Sequence, residues 1–203
     1  MTIPPGFEVH ELGDENVFLT GWLPASLIPH GEGFENLWNL HPVEYHEIKM
    51  HGQLIRTPRW QQAYGVDYHY TGRVNKALPF PPALEPLLTW AKETIDRQLN
   101  AVLVNWYDGK LGHYIGPHRD SIVNMVNGAP IATLSFGEER IFRLRRWPAG
   151  RGKERLDFAA RNGTVFVMPF ATNRGWTHEV PAARKWTGRR ISVTLRAFTG
   201  EFQ

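Results

Sequence analysis

The chain has 203 residues, 42% of them hydrophobic and 21% charged, a balance that suits one globular domain with its own core and excludes a disordered or fibrous chain. There is no cysteine, which removes disulfide frameworks, thiolate zinc sites, iron–sulfur clusters and cysteine nucleophiles, so any metal must sit on His, Asp or Glu. The net charge of +3 is unevenly spread: residues 1–100 hold 7 Lys+Arg against 12 Asp+Glu, and residues 101–203 hold 16 against 8. A basic C-terminal half suits an anionic partner such as nucleic acid or a carboxylate, or simply a solvated surface. The opening MTIPPGFEVHELGDENVF lacks the basic and apolar regions of a signal peptide, and no apolar run approaches membrane-spanning length. A soluble, cytoplasmic monomer with no membrane partner is expected.

Residues 1–46 are rich in Pro, Gly and Glu without a sustained period, and read as an N-terminal extension of loops with one or two short helices. EIKMHGQLI, residues 47–55, has strand character broken at Gly52, as a hairpin or bulge requires. PRWQQAYG then leads into the aromatic stretch Tyr68-His69-Tyr70. The clearest helix runs from Pro82 to Leu99, with Leu84, Leu87, Leu88, Ala91, Ile95 and Leu99 on one stripe and Pro82 in the first turn. It should pack on the outside of a sheet. From Ala101 the pattern changes to short apolar runs between turns: AVLVNWY, IATLSFG, RIFRLRR, GTVFVMPF and RRISVTLRAF. Such spacing predicts an antiparallel sandwich, barrel or jelly roll, mainly β with flanking helices. RWPAGRGKER, residues 146–155, reads as a mobile basic loop.

His118 and Asp120 stand two apart, so on extended backbone both side chains leave one face, as two ligands of a 2-His-1-carboxylate iron site must. A third ligand is needed, and His178, just beyond the core strand GTVFVMPF and so at a strand end, is available; taken by itself it reads first as a hydrogen-bonded surface or core histidine. In the last strand Arg190, Ser192, Thr194 and Arg196 share one face and Ile191, Val193 and Leu195 the other. If the polar face is interior, two arginines need anions, which a dicarboxylate would supply; if it is an edge strand, they face solvent. Leu103, Asn105 and Tyr107 alternate together and add an amide and a phenol. Iron(II) on three protein ligands leaves room for a chelating 2-oxo acid and dioxygen, and the distal carboxylate of 2-oxoglutarate would take a bidentate arginine.

With these residues in place the chain resembles the AlkB group of Fe(II)/2-oxoglutarate-dependent nucleic-acid demethylases, over about residues 47–198, and most of all its duplex-DNA-repairing members. NWYDGKLGHYIGPHRD, GAPIATLSFG, GTVFVMPF, WTHEVP and RRISVTLRAF occur in the family's order. The resemblance implies one dioxygenase domain over 1–203: the extension 1–46, a nucleotide-recognition lid at 47–80, a supporting helix at 82–99 and a double-stranded β-helix (jelly roll) core at 101–198. It implies iron on His118, Asp120 and His178, and 2-oxoglutarate on Asn105, Tyr107, Arg190, Thr194 and Arg196. Ser192 replaces the family's usual Asn, and the alternation puts Arg189 on the opposite face, away from the cofactor. In the lid, Tyr68 and Tyr70 match the aromatics that enclose a flipped base, and Arg59 matches an arginine near the substrate strand. His51, at the hairpin tip, stands where the duplex-repairing members carry an apolar wedge, and Ser121 and Ile122 stand where they carry an acidic pair. The implied reaction is oxidative demethylation of N-alkylated bases in DNA or RNA, with O2 consumed and formaldehyde, succinate and CO2 released. The departures at 51, 121 and 122 keep open a 2-oxoglutarate-dependent hydroxylase of a small molecule or a protein side chain. Arg145, Arg146, Arg151, Lys153 and Arg155 are candidates for a phosphate track.

Overall fold

A computed structural model describes residues 3–50, 52–70, 73–148 and 155–199. In chain order the strands are β1 (Glu8–Gly13), β2 (Asn16–Trp22), β3 (Glu47–Met50), β4 (Gln53–Arg56), β5 (Trp60–Tyr64), β6 (Tyr68–Tyr70), β7 (Arg73–Asn75), β8 (Ala77–Leu78), β9 (Ala101–Asp108), β10 (Ile115–His118), β11 (Ile131–Gly137), β12 (Arg140–Arg146), β13 (Arg155–Ala160), β14 (Thr164–Met168), β15 (Trp176–Val180) and β16 (Arg189–Arg196). The helices set between them are α1 (Glu32–Trp38), α2 (Glu85–Thr94) and α3 (Phe170–Gly175). An eight-stranded sheet runs β1-β2-β14-β11-β16-β9-β5-β8 and a four-stranded sheet runs β10-β15-β12-β13, with β3–β4 and β6–β7 as separate two-stranded ribbons. No helix among the described residues is long and apolar enough to cross a membrane.

The period-2 alternation of the central strands explains the layering. Val102, Val104 and Trp106 of β9, Ala132, Leu134 and Phe136 of β11, and Ile191, Val193 and Leu195 of β16 form one buried cluster with Leu37 and Trp38 of α1 and Leu87 and Ala91 of α2. The alternate residues of the same sheet, including Leu103, Tyr107, Ile131 and Phe166, pack against Phe142, Leu144 and Trp176 of the small sheet. The large sheet is therefore covered on both faces, by helices on one side and the small sheet on the other, as in a jelly roll. Each fully buried Ile, Leu or Val contributes about 1.5–3 kcal/mol through burial, so the apolar face of β16 is what anchors its polar face in the interior. Trp106 donates its indole N–H to the Leu37 carbonyl at 2.9 Å, which ties α1 to the sheet.

Several expectations change. The N-terminal 46 residues contain a hairpin: β1 and β2 pair, and β2 pairs β14 from Thr164↔Trp22 to Val167↔Leu19. Its turn places Gly13, Asp14 and Glu15 at φ of 78°, 50° and 61°, a loop-like composition that hides the strands on either side. The segment 47–80 divides as well. The β3–β4 hairpin stands apart, as Gly52 at φ 81° allows, whereas β5 joins the large sheet antiparallel to β9 and β8 lies parallel to β5. The helix expected over 82–99 is shorter, Glu85–Thr94, with Pro86 instead of Pro82 in its first turn. The N–H groups of Ile95 and Asp96 both reach the Ala91 carbonyl, and the Asp96 carboxylate accepts the Gln98 N–H, which turns the chain out of the helix. Leu84 and Leu99, outside its ends, are still fully buried. Of the basic loop 146–155, residues 149–154 lie outside the described residues.

An aromatic cluster fastens the approach to the lid. Trp60 stacks on His41 at 4.4 Å and on Tyr45 at 5.3 Å, and meets His113 edge-on at 4.8 Å. His113 accepts the Asp108 N–H at Nδ1, so its Nε2–H faces the Tyr45 hydroxyl at 3.0 Å. Burial holds this imidazole below its ordinary pKa of 6.5, hence neutral.

Two outcomes follow from this packing. Gly137 (φ 85°) closes the turn between the sheets, and a Cβ there would sit 2.3 Å from the Arg189 carbonyl oxygen; Gly137→Ala should cost about 2 kcal/mol or more in urea unfolding. Because the folded state disfavours protonated His113 and the unfolded state does not, stability is full above about pH 6.5 and falls below it, by up to about 1.4 kcal/mol per pH unit for this group. Unfolding midpoints of wild type and His113→Gln measured from pH 7.5 to 5 should converge as the pH falls.

Candidate active site

β10 and β15 are paired so that His118 lies opposite His178 across the small sheet. His178 sits in the middle of its own strand; the expectation of a strand end beyond GTVFVMPF fails because α3 intervenes and carries the chain across to the other sheet. Asp120 lies beyond the end of β10 rather than on extended strand, and a different device brings it to the same face as His118. Asn173 of α3 clamps its backbone, accepting the Asp120 N–H at 3.0 Å and donating to the Asp120 carbonyl at 3.0 Å, all of it buried. Nothing in the local sequence marks Asn173 as a partner of Asp120.

The three side chains converge. Asp120 Oδ1 lies 3.8 Å from His118 Nε2 and 3.9 Å from His178 Nε2, spans that two bonds of ~2.1 Å to one divalent ion bridge. All three ligand atoms fall within 4.8 Å of one another. His118 Nδ1 donates to the Gly116 carbonyl at 2.9 Å, which leaves the Nε2 lone pair facing the centre, and His178 stacks on Phe142 at 5.4 Å. Burial pushes the His118 imidazole down to about 3 and lowers His178 too. Burial alone would raise the Asp120 carboxyl, but Arg196 and the two imidazoles hold it well below the usual carboxylate range. Two neutral imidazoles and one carboxylate are the protonation state a divalent cation requires.

The two arginines of β16 part company. Arg196 donates its Nη2 and Nε to Asp120 Oδ2 at 2.7 and 3.2 Å and also lines the cavity. Its guanidinium also stacks on Tyr68 at 4.6 Å. Arg190 is fully buried, donates Nη2 to Ser135 Oγ at 2.7 Å and lies 5.1 Å over the Tyr107 ring, yet its Nε and Nη1 have no acceptor. A buried guanidinium with free donors and no carboxylate fits the distal carboxylate of 2-oxoglutarate. Asn105, Tyr107, Ser192 and Thr194 line the same cavity as the triad. Arg189 points outward, paired bidentately with Glu35 of α1 beside Phe34 and Trp38.

The substrate-side residues are less uniform. Tyr68 is buried, its hydroxyl 3.5 Å from Asp120 Oδ1, so it forms part of the wall of the metal site. Arg59, expected near the substrate strand, is buried in the wall of the cavity that holds the triad, donating to Asn105 and Gln61. Ser121 is half-buried and its hydroxyl accepts the Val123 N–H at 3.4 Å; Ile122 and Val123 are exposed. His51 and the Tyr70 side chain lie outside the described residues. The proposed phosphate track thins out, because Arg145 pairs with Glu179 at 2.7 Å and Arg146 with Asp14; Arg155 is exposed, and Arg151 and Lys153 lie outside the described residues.

Residues 35–196 match the family model of the 2OG-Fe(II) oxygenase superfamily. The chain belongs to that superfamily. This 2-oxoglutarate oxygenase is 31% identical over 160 residues to "DNA oxidative demethylase ALKBH2" of Homo sapiens, a match covering 73% of this chain and 60% of that protein. It is 29% identical over 147 residues to "Alpha-ketoglutarate-dependent dioxygenase alkB homolog 3" of Rattus norvegicus, covering 68% of this chain and 50% of that one. The match thus spans between half and two thirds of these relatives' length. Among solved structures, "The structure of OsALKBH1" aligns with a TM-score of 0.56 at 11% identity, over 94% of this oxygenase and 100% of that chain, and shows the same fold. Fe(II), 2-oxoglutarate and O2 are the cofactor and cosubstrates of the superfamily, and the neutral-neutral-anionic triad and the open donors of Arg190 fit them.

Alanine at His118, Asp120 or His178 should each reduce Fe(II)-dependent succinate formation from 2-oxoglutarate to background while leaving the fold intact; full turnover in any one variant would remove that residue from the ligand set.

Proposed function

We propose that this oxygenase demethylates N-alkylated bases in DNA or RNA. The observation that carries the reading is the position of Tyr68: β6 of the lid region sets this buried ring in the wall of the cavity, its hydroxyl 3.5 Å from Asp120 and one face on the Arg196 guanidinium, so lid and ligand set share one site. At the rim, a cleft of about 410 Å3 behind Asp120 is lined by Arg119, Ser121, Ile122, Val123 and Arg174. Neither Arg119 nor Arg174 has a carboxylate partner among the described residues, and Arg119 lies 5.1 Å over the exposed ring of Trp147. Guanidinium groups without a carboxylate partner and a half-exposed indole suit an anionic strand with stacking bases. His51 and Tyr70, close by in sequence, complete the lid contribution in this reading.

Ferrous iron with 2-oxoglutarate and O2, when bound, supplies the oxidation, and 2-oxoglutarate leaves as succinate and CO2. The protein's own part is placement. His118, Asp120 and His178 hold the metal, Arg196 and Asn173 fix Asp120, and Arg190 with Asn105, Tyr107 and Thr194 orients the dicarboxylate. The methyl carbon gains a hydroxyl, the carbon–nitrogen bond breaks, the carbon departs as formaldehyde and the ring nitrogen keeps a proton.

A second reading, hydroxylation of a small molecule or protein side chain, is favoured by one feature: Ile122 and Val123 present an apolar rim, 42% and 56% exposed, just beyond Asp120. Incubation with Fe(II), 2-oxoglutarate and a panel of methylated oligonucleotides separates the two. Loss of one methylene from the oligonucleotide together with formaldehyde is expected, with binding that weakens as salt rises. Succinate without demethylated product would transfer the assignment to the second reading.

A further inference from the structure

The rim of the site carries an aromatic ring that the metal and cosubstrate chemistry does not use. Trp147, directly after β12, is 45% exposed, and the Arg119 guanidinium lies over its ring at 5.1 Å from the centroid. Arg119 and Arg174 are both exposed, and among the described residues no carboxylate pairs with either. With the exposed Ile122 and Val123 they line the cleft beside Asp120. A single exposed apolar side chain is ordinary on a protein surface. Here an indole, two aliphatic side chains and two guanidinium groups lacking an anion meet at one rim, the combination that stacks on bases and holds phosphates.

Helix α3 fixes this rim relative to the metal ligands. Arg119 donates from Nη1 to the Arg174 carbonyl at 3.1 Å, and the Trp147 N–H donates to the Gly175 carbonyl at 2.8 Å. One residue earlier in the same helix, Asn173 holds the backbone of Asp120. Three consecutive residues, Asn173, Arg174 and Gly175, thus set Asp120, Arg119 and Trp147 in one frame, which Thr172 secures to the large sheet by donating to the Val17 carbonyl at 2.8 Å. Arg119 is also the chain neighbour of both His118 and Asp120, its Cα about 3.8 Å from each of theirs. Those two side chains line the cavity, whereas that of Arg119 is exposed. The stack therefore stands one side-chain length from the metal ligands, close enough to meet the nucleotide next to the reacting base.

A duplex does not offer that nucleotide in a usable form. Both faces of each paired base are covered by its stacked neighbours, and the outside of the helix presents phosphates and sugars, which give Trp147, Ile122 and Val123 nothing apolar to meet. In a single strand a base turns out of its stack at low cost and shows a π-face. We propose that Trp147 stacks on the base next to the one being demethylated, with Arg119 and Arg174 on the adjoining phosphates, and that this oxygenase acts on single-stranded nucleic acid. The proposal rests on the nucleic-acid reading of the site.

The test uses a short single strand carrying one 1-methyladenine, made as DNA and as RNA, its duplex, and two versions in which the base on the 5′ or the 3′ side of the methylated one is replaced by an abasic sugar. Binding to the protein loaded with Fe(II) and 2-oxoglutarate is read by fluorescence anisotropy under argon, where no turnover occurs, and the tighter-binding sugar names the polymer. The single strand should bind at least about tenfold more tightly than the duplex, and one of the two abasic strands about tenfold more weakly than the full strand. Trp147→Ala should lose about the same factor on the full strand and be indifferent to that abasic position, and Trp147→Phe should recover most of the loss. In the double variant Arg119→Gln/Arg174→Gln the slope of log Kd against log salt should fall by about 0.7 or more. Equal affinity for single strand and duplex, wild-type affinity of Trp147→Ala, an abasic penalty that survives in Trp147→Ala, or an unchanged salt slope overturns the proposal. The duplex and abasic comparisons are read on the wild-type protein, so they decide the matter even where a Trp147 variant fails to fold. Absence of formaldehyde from every methylated strand in air would instead overturn the nucleic-acid reading itself.

Discussion

A carboxylate buried as deeply as Asp120 is stable only if its charge is met, and the ion pair from Asp120 Oδ2 to Arg196 meets it. The rest of the interior is arranged around that pair. It engages one oxygen of the carboxylate and leaves Oδ1 facing His118 and His178. It fixes the end of β16 against the loop after β10, which joins the two sheets through charge as well as through packing. Because Tyr68 lies over the same guanidinium, the lid region is tied to the pair too. Asn173 completes the arrangement by holding the backbone of Asp120, so the carboxylate has little freedom to swing away when its counterion changes.

The polar interior of β16 is affordable because the strand's other face is apolar and fully buried under the helices. Arg190, Ser192, Thr194 and Arg196 all face inward, and desolvating them is opposed by the burial of Ile191, Val193 and Leu195 on the same eight residues. Strand alternation thus does two jobs at once, holding the sheet in the molecule and furnishing the cavity. The cavity itself is rich in cationic groups. Arg59 and Arg196 line it beside a single carboxylate, Asp120, and Arg190 is buried against the Tyr107 ring, an excess of positive charge that favours an incoming anion.

Much of this was legible before the structure. The runs that became β9, β11, β12, β14 and β16 announce themselves by β-branched and aromatic residues between turns, and the alternation of β16 separates Arg189 from Arg190 correctly. The spacing of His118 and Asp120 identifies the pair, but for a reason that does not hold, since Asp120 is off the strand and Asn173 does the aligning. What stayed hidden is what depends on distant partners. Asn173 looks like any residue in a short helix, the place of Arg59 in the cavity wall depends on β5 joining the large sheet, and the pairing of Arg196 with Asp120 joins residues 76 positions apart. The β1–β2 hairpin was lost for a local reason, because the residues around its turn resemble a loop more than the strands resemble strands.

That hairpin supports the site from behind, through Phe18 stacked on Phe142 and the Val17 carbonyl that accepts from Thr172, and it also covers β14 at one border of the large sheet. Without it, β14 would present Thr164 to Val167 as an open row of amide and carbonyl groups, the pattern by which sheets of separate molecules join edge to edge. The first strands of the chain therefore act as a selvedge: they move the sheet's border from β14, buried along its whole length, to β1, an exposed strand whose Glu8 and Glu11 put negative charge where a neighbouring molecule would pair.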